Sequence, residues 1–235
     1  MDESLVTSMF QIKPARTLHE IYEQDFVPQR ETGIYDWREW LVGHQWRKQL
    51  EFYSERGWSM RPIAARGKRP VQNRNNYSTV NKKAPPLTVK QALDEWIAED
   101  FNLAIMAGPS KIIWLDIDEP ERVPASFLDG ASDYLMMRTA RGLAVPVERS
   151  VKIRELNTLT RRLSDIFVDT VRRGNSYQLV PLSVTCTRDN GTPDHRVDFG
   201  NAPCIDAPKH DLRVREWLDL SKPVMTQETL RRLTK

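Results

Sequence analysis

Residues 112–118 read Ile112-Ile113-Trp114-Leu115-Asp116-Ile117-Asp118. The first four are apolar without alternation, the mark of a strand covered on both faces rather than one wetted on one side. The strand ends in two carboxylates two residues apart, so both leave the same face while Ile117 leaves the other. Just upstream, Asn102-Leu103-Ala104-Ile105-Met106 forms a second strand, and Gly108-Pro109-Ser110 is the tight turn between them. A buried strand pair with acids at one end is the frame from which the rest of the chain is read.

Downstream, a short helix follows Pro124, then a strand over 134–139, a basic turn at Arg141-Gly142 and a strand over 144–147. A basic helix over 154–173 is expected to turn Leu156, Leu159, Leu163, Ile166, Phe167 and Val171 inward. Strands near 177–187 and 196–199, an irregular Pro-containing segment and a closing helix from Thr226 complete the C-terminal half. Upstream, 88–99 is an amphipathic helix with Val89, Ala92, Leu93 and Trp96 on one side, and 58–64 alternates as a short strand. Between these lie a basic turn at 66–70 and a polar loop over 71–86. Residues 1–56 are helical: Asp36 caps a helix with Glu39 three residues on, Trp37, Trp40, Leu41, His44, Trp46, Leu50 and Tyr53 follow as stripes, and Gly57 ends it. That aromatic stripe is expected to pack on the main body; the competing reading is stacking on bases. Helices and strands mix without strict alternation, which favours an α+β domain over a doubly wound sheet.

Composition sets the outer limits. The chain has 235 residues, 40% of them apolar and 29% charged, long enough for one large domain or two small ones. Disorder, collagen-like repeats and an acidic tail are excluded. The net charge of +3 is mild, so nucleic-acid binding requires local clustering of charge. Cys186 and Cys204 are too few for a disulfide scaffold or a four-thiolate zinc site, fit a reducing compartment and are expected to pack. Met1-Asp2-Glu3-Ser4 has no apolar run behind it, so no secretory signal is expected, and no stretch is long enough to span a bilayer. A cytoplasmic location is the expectation.

Two carboxylates on one strand face repel unless a cation lies between them. All-oxygen ligands suit Mg²⁺ or Mn²⁺, which keep waters and share coordination with substrate phosphates. The alternative is a strand end with two exposed acids. Arg196-Val197-Asp198-Phe199 offers a third acid on an apolar strand. If that strand neighbours the first, Asp116, Asp118 and Asp198 together could hold two ions ~4 Å apart for an in-line phosphoryl displacement.

An ordered series of segments resembles the prim-pol domains of the archaeo-eukaryotic primase superfamily, found in replication proteins of plasmids and viruses. It starts with Glu51-Phe52-Tyr53-Ser54-Glu55-Arg56-Gly57-Trp58-Ser59-Met60-Arg61-Pro62-Ile63 and Gly67-Lys68-Arg69-Pro70. It continues through Trp96, 102–108, 114–121, Thr139-Ala140-Arg141-Gly142, Val197-Asp198-Phe199-Gly200 and Ala207-Pro208, covering about residues 50–218. The resemblance implies an α+β primase-polymerase core with an RNA-recognition-motif-like mixed or antiparallel sheet. On that basis the chain divides into a helical extension (1–50), a prim-pol-like catalytic domain (51–220) and a C-terminal helix or tail (221–235).

The function implied is template-dependent nucleotidyl transfer, as a DNA primase or polymerase, in replication of a plasmid or virus. Asp116, Asp118 and Asp198 match the family's metal-binding acids, and Mg²⁺ or Mn²⁺ is the implied cofactor. One departure stands out. The family's middle motif ends in a phosphate-contacting histidine, whereas this chain has Ala144 or Val145 there. Arg138 or Arg141 could hold the triphosphate instead, His195 or His210 could reach in, or catalysis could be lost.

Lys68 and Arg69 stand where such domains place basic residues near the nucleotide, and Lys82 and Lys83 flank a loop that could touch template. Between Arg138 and Arg173, nine basic residues face four acids. This local excess, including Arg161, Arg162, Arg172 and Arg173, is a candidate phosphate-backbone surface; the alternative is a solvated helix face. Expected partners are single-stranded DNA, a ribo- or deoxynucleoside triphosphate, and a separate helicase or initiator, because no Gly-x-x-x-x-Gly-Lys-Ser/Thr segment is present. The main alternative is a catalytically degenerate prim-pol fold serving as a nucleic-acid-binding initiator or scaffold. A nucleotide-sugar glycosyltransferase, which also uses Asp-x-Asp after an apolar strand, requires a parallel sheet before the motif, and the short irregular region before Asn102 argues against it.

Overall fold

The computed structural model describes residues 47–63, 87–92, 102–139, 141–150, 153–171, 176–181, 183–186 and 212–235. Lys68, Arg69, Lys82, Lys83, Trp96, Arg172, Arg173, His195, Asp198, Cys204, His210 and the tryptophans before Arg47 lie outside the described residues.

Helix α1 (Arg47–Glu55) is followed by strands β1 (Met60–Ile63), β2 (Asn102–Met106) and β3 (Ile112–Ile117). A one-turn 3-10 segment (Pro120–Arg122), α2 (Ala125–Ser132), β4 (Met137–Arg138), β5 (Leu143–Glu148) and α3 (Ile153–Asp165) come next. The rest is β6 (Asp169–Val171), β7 (Tyr177–Leu179), β8 (Val184–Cys186), β9 (Leu212–Val214), β10 (Glu216–Trp217), β11 (Met225–Thr226) and α4 (Gln227–Leu233). The expected class, α+β, is the one found.

The large sheet has the order β10-β4-β5-β3-β6, with β11 running parallel to β5. Its centre is β3, antiparallel to β5 on one side and β6 on the other. A smaller antiparallel sheet, β1-β2-β7, is joined to it through the turn between β2 and β3, and β8 pairs with β9. Strand alternation sorts β3 into two sets. Ile113, Leu115 and Ile117 meet Val145, Val147, Phe127, Leu159, Leu163, Met225 and Leu230 on the face that α2, α3 and α4 cover. Ile112 and Trp114 face the other way, into a cluster with Met60, Leu103 and Ile105 of the small sheet and Tyr53 and Trp58. Both faces of β3 are therefore dry, as its unbroken apolar run requires. Trp114 stacks on Trp217 with ring centroids 6.3 Å apart, and Trp217 Nε1 donates to Tyr53 Oη at 2.8 Å.

The helix starts and stops follow local chemistry. Gly57, at φ 62°, closes α1: its N–H bonds Ser54 O at 2.9 Å and the Trp58 N–H bonds Tyr53 O at 2.9 Å. Thr226 caps α4, its hydroxyl accepting from the Thr229 N–H.

One boundary differs from the expectation. The helix read over 154–173 stops at Asp165, the chain turns through Phe167 at φ 62°, and Asp169–Val171 becomes an edge strand. Val168-Asp169-Thr170-Val171 carries three β-branched residues, which fit a pleated edge better than a helix. Phe167, expected in the core, is 46% exposed.

Candidate active site

Pairing across β3 assembles the site. Asp116 lies opposite Ala144 of β5 on one side and opposite Asp169 of β6 on the other. Directly opposed residues of an antiparallel pair project to the same face, so Asp116 and Asp169 share the face that carries Trp114. Sequence reading missed Asp169 because it counted the residue among the acids of a helix. The signal that would have found it is the β-branched alternation around it. Of the two residues named for the absent histidine, Ala144 shares the Asp116 face, whereas Val145 pairs with Leu115 and belongs to the helical side.

Asp118 sits just past the end of β3, beside the hairpin that joins β4 to β5. The Thr139 N–H donates to Gly142 O at 2.8 Å, and the Gly142 N–H donates to Thr139 Oγ1 at 3.1 Å. A Cβ on Gly142 would stand 2.0 Å from the Ile117 carbonyl oxygen. Only a bare Cα lets the hairpin lie this close to β3. That approach brings the next residue back, Arg141, onto Asp118, and the two side chains form an ion pair.

A second cation comes from a residue that sequence reading did not single out. Arg215 lies between β9 and β10 and is 4% exposed. Two residues before Trp217, whose ring stacks on Trp114, it projects to the same side of the sheet. Burial pulls its guanidinium pKa down to about 10, and the charges of Asp116 and Asp118 act against that fall. Its backbone N–H donates to Ser183 O at 3.1 Å. Ser183 in turn bonds the backbone of Leu103 in both directions, at 2.8 and 3.0 Å, so the small sheet and the Arg215 segment are tied at one point.

Arg138 falls elsewhere. It pairs with Leu143, which pairs with Ile117, on the helical face, and its other neighbour is Glu216. The register separates the two arginines read as candidates for the triphosphate: Arg138 lies on the helical face, and Arg141 pairs with Asp118. Arg161 and Arg162 are exposed on α3.

The donor set of Asp116, Asp118 and Asp169 is all carboxylate oxygen, the chemistry of a hard divalent cation. Asp116 and Asp169, like charges directly opposed, are destabilising without a positive charge nearby. Among the described residues no three His, Cys, Asp or Glu side chains converge on one point, and Asp118 is turned to Arg141. The residue types fit the ion, provided Asp118 leaves the arginine.

A family model, Prim-Pol, described as bifunctional DNA primase/polymerase, N-terminal, matches residues 50–210. The chain belongs to the Prim-Pol family. No curated protein matches it. The Prim-Pol match runs from α1 past β8 and includes Asp116, Asp118, Asp169 and Asp198; Arg215 lies just beyond it. Membership supports a primase- or polymerase-type role in DNA replication, with a DNA template and nucleotides as substrates. Among the described residues no helix is long and apolar enough to cross a membrane.

Proposed function

We propose that this Prim-Pol chain is an active nucleotidyltransferase that makes or extends primers on single-stranded DNA, in replication of a plasmid or virus, with Asp116, Asp118 and Asp169 as its metal-binding acids. The observation that carries the reading is the opposition of Asp116 and Asp169 on one sheet face, with Asp118 just past the end of β3. Asp198, the third acid expected from sequence, is a further candidate for the same set. Bound Mg²⁺ or Mn²⁺ would supply a lowered hydroxyl pKa and charge neutralisation on the leaving pyrophosphate.

The chain's own groups do the rest. Asp118 would hold the cation with Asp116 and Asp169, and Arg141, its present partner, would stand beside the site as a donor for a phosphate oxygen. Arg215, held in the interior, sets its positive charge against the negative charges of Asp116 and Asp118. Ala144, buried in the core opposite Asp116, has no group to offer a phosphate, so phosphate contacts fall to arginines rather than to an imidazole. His210, Lys68 and Arg69 remain candidates for the nucleotide, and Lys82, Lys83, Arg161, Arg162, Arg172 and Arg173 for the template backbone.

Primer synthesis and primer extension on single-stranded DNA with Mn²⁺ test this directly. The parent protein is expected to form product, and D116N and D169N to form none. The second reading, a binding-only initiator, is favoured by Ala144 in the histidine position. It predicts a parent as inert as D116N while DNA binding persists in both.

A further inference from the structure

The chain closes two helices with the same hydrogen-bonded turn and puts different residues in it. At the end of α1, the N–H groups of Gly57 and Trp58 bond Ser54 O and Tyr53 O; at the end of α3, those of Phe167 and Val168 bond Ser164 O and Leu163 O at 3.1 and 2.9 Å. The residue at the turn has φ 62° in both. Glycine adopts that conformation freely, whereas a bulky residue there is a genuine outlier. Strain of this kind persists where the side chain has a use.

Among the described residues Phe167 is one of two large apolar side chains left exposed, at 46%, so burial does not explain the choice. The Arg122 guanidinium lies over its ring, 3.8 Å from the centroid, and also pairs with Glu119. The place matters as well. Phe167 comes two residues before Asp169, the acid paired with Asp116, and Arg122 four residues after Asp118. Arg161 and Arg162 are exposed on the preceding helix. An exposed ring carrying a guanidinium, two residues from an acid of this face and one turn beyond a helix with two exposed arginines, offers the two parts of a single-strand platform: a π-face for a base and cations for the backbone.

We propose that Phe167, with Arg122, is a stacking platform for a nucleobase of the single-stranded template entering the acid face. The proposal rests on the reading that this face handles a DNA template, but it does not require that the face be catalytic.

The test uses the full chain and the variants F167G and F167W. Glycine suits φ 62°, so F167G is expected to unfold at or above the parent's Tm. Its affinity for a dye-labelled thymidine oligonucleotide, read by anisotropy, should fall about tenfold, and F167W should bind as the parent does. A strand of the same length with abasic sites should bind parent and F167G equally. Loss confined to free nucleoside triphosphate would overturn the template assignment and make the incoming base the occupant. The proposal is overturned if F167G binds every probe like the parent, if F167W is as weak as F167G, or if the abasic strand shows the same loss. A parent that binds the oligonucleotide base-dependently through Phe167 yet forms no product would end the polymerase reading and leave the platform standing.

Discussion

Strands β3 and β6 lie side by side and give acids to one face, yet they are built in opposite ways. β3 is six residues long, flanked by strands on both edges and dry on both faces apart from Asp116. β6 is three residues long, sits at the sheet edge and exposes Asp169. A carboxylate on a buried central strand contradicts its surroundings and so announces itself. A carboxylate on an exposed edge looks like any surface acid. The difference shows that a site can be half conspicuous and half hidden even when its residues are neighbours.

Four changes would break or sharpen that contrast. The sharpest is the pair D116N and D169N: if the edge acid serves the same chemistry, each lowers nucleotidyl transfer by at least about 10²–10³-fold. Retained activity in D169N, alongside loss in D198N measured in the same assay, would return the third position to the sequence-based choice. R215M comes next. It removes the buried cation whose charge Asp116 and Asp118 favour, and is expected to lower the denaturant midpoint. An unchanged midpoint would mean that Arg215 does not neutralise the acids.

G142A should cost about 1–3 kcal/mol, since the methyl meets the Ile117 carbonyl and the hairpin must retreat from β3. Thermal unfolding measures it, and a neutral result would show that the hairpin is free to shift. The smallest stability effect is expected of R141Q. Its ion pair is about a third exposed on both sides, so its loss should change stability by no more than about 1 kcal/mol. A rise in nucleotide KM in the same variant, with stability preserved, would separate a phosphate role for Arg141 from a structural one.

Much was legible before any coordinates. The Ile112–Leu115 run, the Gly57 stop, the closing helix from Thr226 and the Arg141-Gly142 turn all depend on residues within a few positions of one another. The helix predicted through Arg173 failed because the amphipathic stripe runs on through Ile166, Phe167 and Val171, and periodicity alone does not mark a reversal at a phenylalanine. Arg138 and Arg141 look interchangeable along the chain. The pairing of Arg138 with Leu143 and Glu216 sends one to the helical face, and the close approach at Gly142 brings the other to Asp118.

By itself the amino-acid order determined that a dry central strand ends in two carboxylates on one face, because alternation and apolar runs are properties of neighbouring residues. Only the tertiary structure decided which distant residues stand beside them. Asp169 and Arg215 join Asp116 through strand register and burial, and those are set by the packing of the whole sheet rather than by any local pattern.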